Sequence, residues 1–297
     1  VVGYGVVFGF ALGVSYFLAM TAASLDLPIR RSIAISMCVS AFAGGGLVWP
    51  PIFVAIINWQ GPHAVFLLFA AYLIIVGAVG GILMRAARPP AHSGAQDGSG
   101  VFSDILSHTP RIFILLWFGF VFIAFAALMS IGHAAGIATY YGVPADQAYW
   151  GPMLSNLVYI CCALSAGILC DWITGRRVLI GISAMMAIPL LALYFAPSAS
   201  TSLIALALVG GAFGASASAY PVTVTGYYGV AALPRIYGRL SSSYGLAGLL
   251  GPFAAGVLYD WEGGYNYAIL IAGVLALVGV FTVWALPKAK MTLTPAG

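Results

Sequence analysis

Nine long apolar stretches follow one another along the chain, and short polar connections separate them. Each stretch holds about 20 residues, the length that an α-helix needs to cross the hydrocarbon layer of a bilayer. In lipid, a helix satisfies its backbone N–H and C=O groups without an outside partner. The pattern therefore predicts nine membrane-spanning helices, near residues 1–24, 32–57, 64–84, 112–130, 148–170, 178–194, 202–225, 240–259 and 267–286.

Composition excludes a water-soluble globule. Of the 297 residues, 62% are hydrophobic and 6% are charged, whereas a soluble domain carries about 25% charged residues. So few charges cannot cover the surface of a soluble protein, and we expect an all-α membrane protein. The four cysteines lie in apolar stretches without metal-binding or redox spacing, which indicates small core residues. The sequence predicts neither a metal site nor a cofactor.

The positive charges alternate between the two sides of this predicted topology. All eleven Lys and Arg lie in odd-numbered connections or in the C-terminal tail. Because cytoplasmic loops carry the excess of Lys and Arg, we expect the odd side and the C-terminus to be cytoplasmic, in a plasma (inner) membrane. These basic residues are Arg30, Arg31, Arg85, Arg88, Arg111, Arg176, Arg177, Arg235, Arg239, Lys288 and Lys290.

This topology places the first residue outside the cytoplasm. That residue already lies in an apolar helix, with no lead-in and no initiator methionine. We therefore expect an N-terminal part to be missing. The alternative is a genuine nine-span protein whose chain starts in mid-helix.

A polar stretch rich in proline, glycine and serine, residues 85–110, divides the chain. Such a composition cannot bury apolar surface and is typical of a flexible linker. The predicted organisation has three helices of an N-terminal bundle in residues 1–86, a cytoplasmic linker in 87–110 and a six-helix bundle in 111–297.

One connection carries a motif with physical meaning. Residues 167–177 read Gly-Ile-Leu-Cys-Asp-Trp-Ile-Thr-Gly-Arg-Arg, which resembles the G-x-x-x-D-x-x-x-G-R-[KR] loop of the major facilitator superfamily, in its second-half copy between helices eight and nine. The resemblance implies the major facilitator fold, with nine of its twelve helices present. It also implies a conformational latch formed by Gly167, Asp171, Gly175, Arg176 and Arg177.

The residue types suit a latch. Gly167 lets two helices approach closely, and Asp171 can pair with Arg176 or with the N-terminus of a neighbouring helix. The basic pair anchors the cytoplasmic face. The alternative interpretation is an Asp and Arg pair that only sets topology at the membrane surface.

Three further stretches resemble the branch of the superfamily that holds oxalate/formate antiporters and monocarboxylate porters. They lie within residues 3–34, 133–148 and 237–260, and they imply that the chain holds helices four to twelve. Organic-anion transporters of this branch commonly place basic residues in helices eight and eleven, but residues 149–170 and 240–259 contain none. A carboxylate would be desolvated there without a cation, which argues against such a substrate unless the missing first helix supplies a charge.

Candidate substrate-binding residues are the polar groups at membrane depth. His133 is the leading one, because imidazole changes charge near neutral pH and could line a cavity or carry a proton. The alternative is a histidine at the lipid headgroup interface. Asn156 follows, since a primary amide in a membrane helix needs a substrate, water or another helix as partner. The predicted set is His133, Asn156, Tyr159 and Tyr244, with Tyr4 and Tyr16 from the other half.

The predicted function is a secondary transporter that moves a small organic solute, with a carboxylate as one candidate, by alternating access. No nucleotide-binding loop occurs in the sequence, so coupling to a proton or a counter-solute would supply any energy, as in a symporter or antiporter. An enzyme is not expected, because the spans hold no catalytic motif. Membrane lipids are expected partners and nucleic acid is not. The alternative is a membrane sensor or remnant that binds solute without translocating it.

Overall fold

The computed structural model describes residues 8–26, 31–86, 110–229 and 232–287. These ranges contain ten α-helices. These ranges contain no β-strand. In chain order the helices are α1 Gly9–Asp26, α2 Arg31–Gln60, α3 Pro62–Ala86, α4 Pro110–Gly132, α5 Ala134–Tyr140, α6 Trp150–Trp172, α7 Gly175–Phe195, α8 Ala199–Tyr228, α9 Leu233–Glu262 and α10 Asn266–Trp284. A 3₁₀ turn, Ala145–Gln147, precedes α6.

Every predicted span overlaps one of the long helices, which confirms the all-α membrane fold. Seven helices in the described ranges are long and apolar enough to cross a membrane. Helices α1 and α9 are not among them, since serines and glycines dilute the apolar residues of α9 and the shorter apolar run of α1 is Gly9–Met20. The count of nine spans stays a prediction.

Several helices run beyond the predicted boundaries. Helices α2, α8 and α9 have 30 residues each, which is about 45 Å at 1.5 Å per residue and exceeds a bilayer core of about 30 Å. Hydropathy marks where lipid contact ends, but a helix continues while its residues can still form i to i−4 hydrogen bonds. The short helix α5, only seven residues, directly follows α4 and begins after His133.

Helices α1 to α3 and helices α4 to α10 form two sets, and the predicted linker between them lies in residues 87–109, outside the described ranges. Most of the core lies in the second set, where the largest fully buried side chains include Leu116, Ile123, Leu179, Met186 and Leu206, and Met20 and Ile35 of the first set are buried against it. In α3, none of the apolar window His63–Leu83 is buried. The first set therefore contributes little core of its own.

One face of α6 packs against α8, where the glycines Gly210 and Gly214 lie four residues apart on α8. The Ser155 hydroxyl donates to the Leu206 carbonyl oxygen at 2.8 Å. A Cβ atom at Gly210 would overlap the Ser155 carbonyl, and one at Gly214 would lie 2.8 Å from the Tyr159 carbonyl carbon. Because the two backbones touch, α6 and α8 form one rigid pair.

A second face of α6 packs against α2, which runs in the opposite direction. Ser40 Oγ donates to the Ile160 carbonyl oxygen at 3.4 Å. One turn nearer the start of α2, Ser36 lies against Gly167, where an added Cβ would also come within 2.6 Å of the Ser32 carbonyl oxygen. This interface joins the two sets of helices through small residues and few polar bonds.

The two ends of the helix assembly differ in charge. Arginines 111, 176, 177, 235 and 239 all lie at the end where α2, α4, α7 and α9 begin. We call this the arginine end. At this end Arg176 donates to the Trp284 carbonyl oxygen at 2.5 Å, and it thereby caps the last turn of α10, where a cation is favourable.

Candidate functional site

Tyrosine side chains from both sets of helices meet inside the assembly. Tyr16 on α1 lies within electrostatic range of the phenol groups of Tyr159 on α6 and of Tyr237 and Tyr244 on α9. Tyr159 and Tyr237 are in turn close to Tyr244. We call these four residues the tyrosine cluster.

Local structure explains how α9 and α1 supply these rings. Tyr237 and Tyr244 are seven residues apart, which brings them to one face of a helix with 3.6 residues per turn. The Trp117 indole N–H on α4 donates to Ser242 Oγ at 2.9 Å and fixes α9 beside that face. Tyr16 packs edge-on against Phe42 of α2, with centroids 5.5 Å apart.

Aromatic rings continue from the cluster into the second set of helices. Phe213 lies between Tyr159, at a centroid distance of 5.7 Å, and Tyr244, at 6.1 Å with nearly parallel planes. Phe120 then lies between Tyr244, at 6.5 Å, and Tyr220, at 4.4 Å. The five rings form an unbroken aromatic ladder across α6, α8, α9 and α4. Its contacts favour fixed ring positions at the cluster.

Two rings of the ladder differ sharply in exposure. Tyr220 is fully buried, and its hydroxyl has no hydrogen-bond partner among the described residues. Tyr244 leaves 43% of its surface exposed although it faces Tyr16 of the other helix set. Tyr244 is therefore the ring that a solute can reach.

Charged side chains lie away from the cluster within the described ranges. Asp26 ends α1, ten residues after Tyr16, and Asp171 lies twelve residues after Tyr159 on α6. Arg239 follows Tyr237 by two residues, or about 200° around the helix, and so lies on the opposite face of α9. The cluster offers ring faces and phenol hydroxyls rather than ions.

The other predicted binding residues do not share this position. Asn156 donates to the Pro152 carbonyl oxygen of its own helix at 3.2 Å, and its Oδ1 atom faces Gly46 of α2, 3.3 Å from where a Cβ would lie. It therefore belongs to the interface between α2 and α6. Tyr4 lies outside the described residues.

His133 forms a bridge at the end opposite the arginines. Its Nε2 atom lies 3.1 Å from the Pro252 carbonyl oxygen of α9, and its Nδ1 atom lies 3.1 Å from the Tyr265 hydroxyl. A carbonyl oxygen only accepts, so Nε2 carries a proton, and in the neutral imidazole Nδ1 then accepts from the Tyr265 hydroxyl. His133 thus ties the end of α4 to α9 and to the start of α10, apart from the tyrosine cluster.

Tyrosines surround this bridge and keep their protons. Burial, with a smaller contribution from Tyr259, raises the pKa of Tyr265, which leaves its hydroxyl available to His133. Burial, followed by Tyr140 and Glu262, raises the pKa of Tyr141 well above its ordinary value. The Tyr141 hydroxyl donates to Asn266 Oδ1 at 2.9 Å.

The motif residues occupy the arginine end. Ser32, the second residue of α2, donates through Oγ to Asp171 Oδ1 at 2.5 Å. Asp171 thus lies at the N-terminus of a neighbouring helix, where a carboxylate is favourable. Arg176 caps α10 instead, and the described structure contains no Asp171–Arg176 ion pair.

The remaining motif residues have different surroundings. An added Cβ at Gly175, the first residue of α7, would overlap Thr223 of α8, so this glycine lets the two helices meet closely. Arg177 is exposed. The motif therefore serves three contacts, between α6 and α2, between α7 and α8, and between α7 and α10.

The sequence-based set of candidates did not include Tyr237, Phe213 or Phe120. Tyr237 falls in a predicted polar connection, next to Arg235 and Arg239, but it is only 4% exposed in the structure. Its spacing of seven from Tyr244 was the available signal. Among the described residues, no group of three or more His, Cys, Asp or Glu could hold a metal ion.

Comparisons with known proteins agree with this architecture. The family model of the Major Facilitator Superfamily matches residues 116–296, more than half of the chain. The chain is 24% identical over 282 residues to the oxalate:formate antiporter of Oxalobacter formigenes, covering 91% of this chain and 65% of that protein. It is 25% identical to the uncharacterized MFS-type transporter YhjX of Escherichia coli, covering 82% of this chain and 62% of that one. The chain thus spans less than two thirds of the length of these curated relatives.

Solved structures share the fold. A crystal structure of the fucose:proton symporter FucP of Escherichia coli superposes with a TM-score of 0.70 at 15% identity, covering 91% of this chain and 72% of that one. A structure of FucP in the outward conformation superposes with a TM-score of 0.65 at 17% identity, covering 87% and 69%.

Proposed function

The chain belongs to the major facilitator superfamily, and on that premise we propose that it moves a small organic solute across the membrane by alternating access. The observation that carries the proposal is the tyrosine cluster, because Tyr16 comes from one set of helices and its three partners come from the other. A solute held between two sets can be passed from one side to the other when the sets rock.

The two sets correspond to unequal parts of the superfamily fold. We assign residues 1–86 to the last three helices of the N-terminal bundle and residues 111–297 to the six-helix C-terminal bundle. The chain then holds helices four to twelve, which agrees with its coverage of 65% of the oxalate:formate antiporter.

The latch is the second part of the proposal. The hydrogen bond between Ser32 and Asp171 and the close approach at Gly167 both join α2 to α6 at the arginine end. Breaking this contact would let the two sets separate there. We assign Gly167 and Asp171 to the moving interface, and Gly175, Arg176 and Arg177 to the helix ends that support it.

The distribution of positive charge supports one orientation in the membrane. The arginine end would face the cytoplasm, with the C-terminus on the same side, in a plasma (inner) membrane.

Coupling would be to a proton or a counter-solute. The tyrosine cluster supplies neutral hydroxyls, so the coupling group would lie elsewhere, and His133 is the candidate that sequence reasoning selected.

Counterflow in reconstituted vesicles tests the transport proposal. Vesicles that contain the protein are preloaded with unlabelled solute and supplied with the same solute in labelled form. The tested solutes are oxalate, formate and a panel of neutral solutes. Accumulation that falls at least tenfold in Tyr16→Phe, but not in the exposed control Tyr267→Phe, supports transport through the cluster.

Two other outcomes would contradict the proposal. Binding of a solute without accumulation in vesicles would indicate a sensor or a non-transporting remnant. Accumulation that is unchanged in Tyr16→Phe would place the pathway elsewhere. Equal amounts of folded protein in all vesicles, measured before the assay, keep a folding defect from imitating either result.

A further inference from the structure

We propose that the tyrosine cluster binds a solute without net charge, in which a flat or cyclic carbon skeleton carries hydroxyl or carbonyl groups. This inference rests on the transport function proposed above and names the substrate class of that same site. Three features of the cluster carry it: the open ring of Tyr244, the neutral hydroxyls, and the placement of the charged side chains.

The first feature is the open aromatic surface. Tyr244 leaves 43% of its surface exposed, and Phe213 and Phe120 lie beside its ring at centroid distances of 6.1 Å and 6.5 Å, too far for full face-to-face contact. The hydrogen bond from Trp117 to Ser242 fixes the same helix two residues earlier. A ring that neighbouring side chains hold in place, and that is partly exposed, offers a stacking surface at little entropic cost. A flat or cyclic skeleton matches such a surface.

The second feature is the set of neutral hydroxyls. Tyr16, Tyr159, Tyr237 and Tyr244 each carry a phenol O–H, which donates one hydrogen bond and also accepts. These phenol groups lie within electrostatic range of Tyr16, so several of them are near one another. Hydroxyl and carbonyl groups of a solute can pair with them without bringing a charge into the interior.

The third feature is the position of the ions. In the described ranges the charged side chains on the cluster's own helices lie toward the helix ends, and Arg239 lies on the opposite face of α9 from Tyr237 and Tyr244. An anion at the cluster would lose its hydration without a cation to replace it. A cation would gain attraction from the ring faces, but no carboxylate of the described residues lies beside them to balance its charge.

A series of ligands with one shape and three charges tests the inference. Benzamide is neutral, benzoate is an anion and benzamidine is a cation, and all three are flat and nearly equal in size. Binding to the full chain in lipid nanodiscs would be measured as the concentration dependence of the Tm. We expect benzamide to bind at least tenfold more tightly than either charged ligand.

Variants assign this binding to the cluster. Tyr244→Leu removes the ring and is expected to abolish the benzamide response. Tyr244→Phe keeps the ring and loses one hydroxyl, and we expect binding to weaken about three- to tenfold. Tyr267→Phe, an exposed tyrosine at the start of α10, serves as the matched control and should bind like the original chain. Since Tyr244→Phe preserves the ring, it remains informative if Tyr244→Leu does not fold.

Equal or tighter binding of benzoate or benzamidine would overturn the inference, as would the lack of any benzamide response. A benzamide response that persists in Tyr244→Leu would also overturn it, because binding would then occur elsewhere. Failure of the two proposals can be told apart. Neutral ligands that bind without flux refute transport alone, whereas counterflow of oxalate or formate without benzamide binding refutes the substrate class alone.

Discussion

Ser32 and Asp171 are 139 residues apart in the chain, and the Ser32 hydroxyl donates a hydrogen bond of 2.5 Å to the Asp171 carboxylate. The bond joins the first turn of α2 to the last turn of α6, so it crosses the interface between the two sets of helices. One turn along α2, the buried Ser36 hydroxyl lies against Gly167 without a hydrogen-bond partner of its own among the described residues. The contact at this end therefore depends on one charged bond and on close backbone packing.

Removing that bond should open the arginine end more often. In a chain whose four cysteines are replaced by alanine, Ser36→Cys places a thiol at the buried interface. Adding Asp171→Ala should speed maleimide labelling of this thiol about fivefold, because a partly exposed bond to a carboxylate contributes about 1 kcal/mol. Labelling rates in nanodiscs measure the effect.

Ser165→Ala is the matched control for this experiment. Its hydroxyl bonds only to carbonyl groups of its own helix, those of Cys161 and Cys162. Labelling in this variant should equal that of the Ser36→Cys chain. An unchanged rate in Asp171→Ala would mean that the bond does not hold the two sets together.

Gly167→Ala should reduce counterflow at least tenfold and lower the Tm less than Gly210→Ala does, because α2 and α6 belong to different sets and can move apart to relieve the clash. The added methyl group would overlap Ser36 Oγ and press on the Ser32 carbonyl, so α2 could not approach α6 at this end. Gly181→Ala on α7, where no atom lies within 4 Å of the added carbon, should behave like the original chain. Normal counterflow in Gly167→Ala would contradict a need for close approach there.

Gly210→Ala should instead lower the stability of the folded chain. Its methyl group would meet the Ser155 carbonyl in the rigid pair of α6 and α8, and overpacking of this kind costs about 1–3 kcal/mol. Thermal unfolding in detergent measures the loss. Gly226→Ala on the same helix has open space around it and should not lower the Tm. Equal Tm values for both variants would mean that the pair can shift apart at no cost.

His133→Gln should retain counterflow within about twofold. A glutamine amide can donate to the Pro252 carbonyl and accept from the Tyr265 hydroxyl, so it can replace both bonds of the histidine. His133→Ala loses both bonds and should lower stability by about 1–3 kcal/mol. Loss of counterflow in His133→Gln, at a normal Tm, would instead show that solute exchange needs the imidazole itself.

The sequence was informative wherever the cause is local. The solvent of each segment follows from its own apolar length, so the all-α membrane fold could be predicted and membership of the superfamily could be expected from residues 167–177. The same motif left two partners open for Asp171, since a sequence gives spacing along one helix and not the helix across from it. The structure pairs Asp171 with Ser32 and uses Arg176 to cap α10.

The candidate site also divides into residues that the sequence could predict and residues that only the structure brings together. Polar residues at membrane depth could be selected as candidates from the sequence, and Tyr16 lies within electrostatic range of Tyr159 and Tyr244 in the structure. Tyr237 joins them because α9 already begins at Leu233, so the predicted polar connection around Arg235 and Arg239 is helical. The spacing of seven residues then places Tyr237 on the same face of α9 as Tyr244. His133 stands apart because its partners belong to α9 and α10, which only tertiary packing brings to the end of α4.

The amino-acid sequence by itself determined the solvent, the helical class and the end of the assembly that carries the arginines, because each depends on composition and order along one segment. Tertiary structure alone decided which tyrosines lie near one another and which carboxylate forms a hydrogen bond across the two sets. Those relationships arise where small residues, above all Gly167 and Gly210, let helix backbones touch. Close packing then fixes the rotation of each helix, and with it the face that each side chain presents.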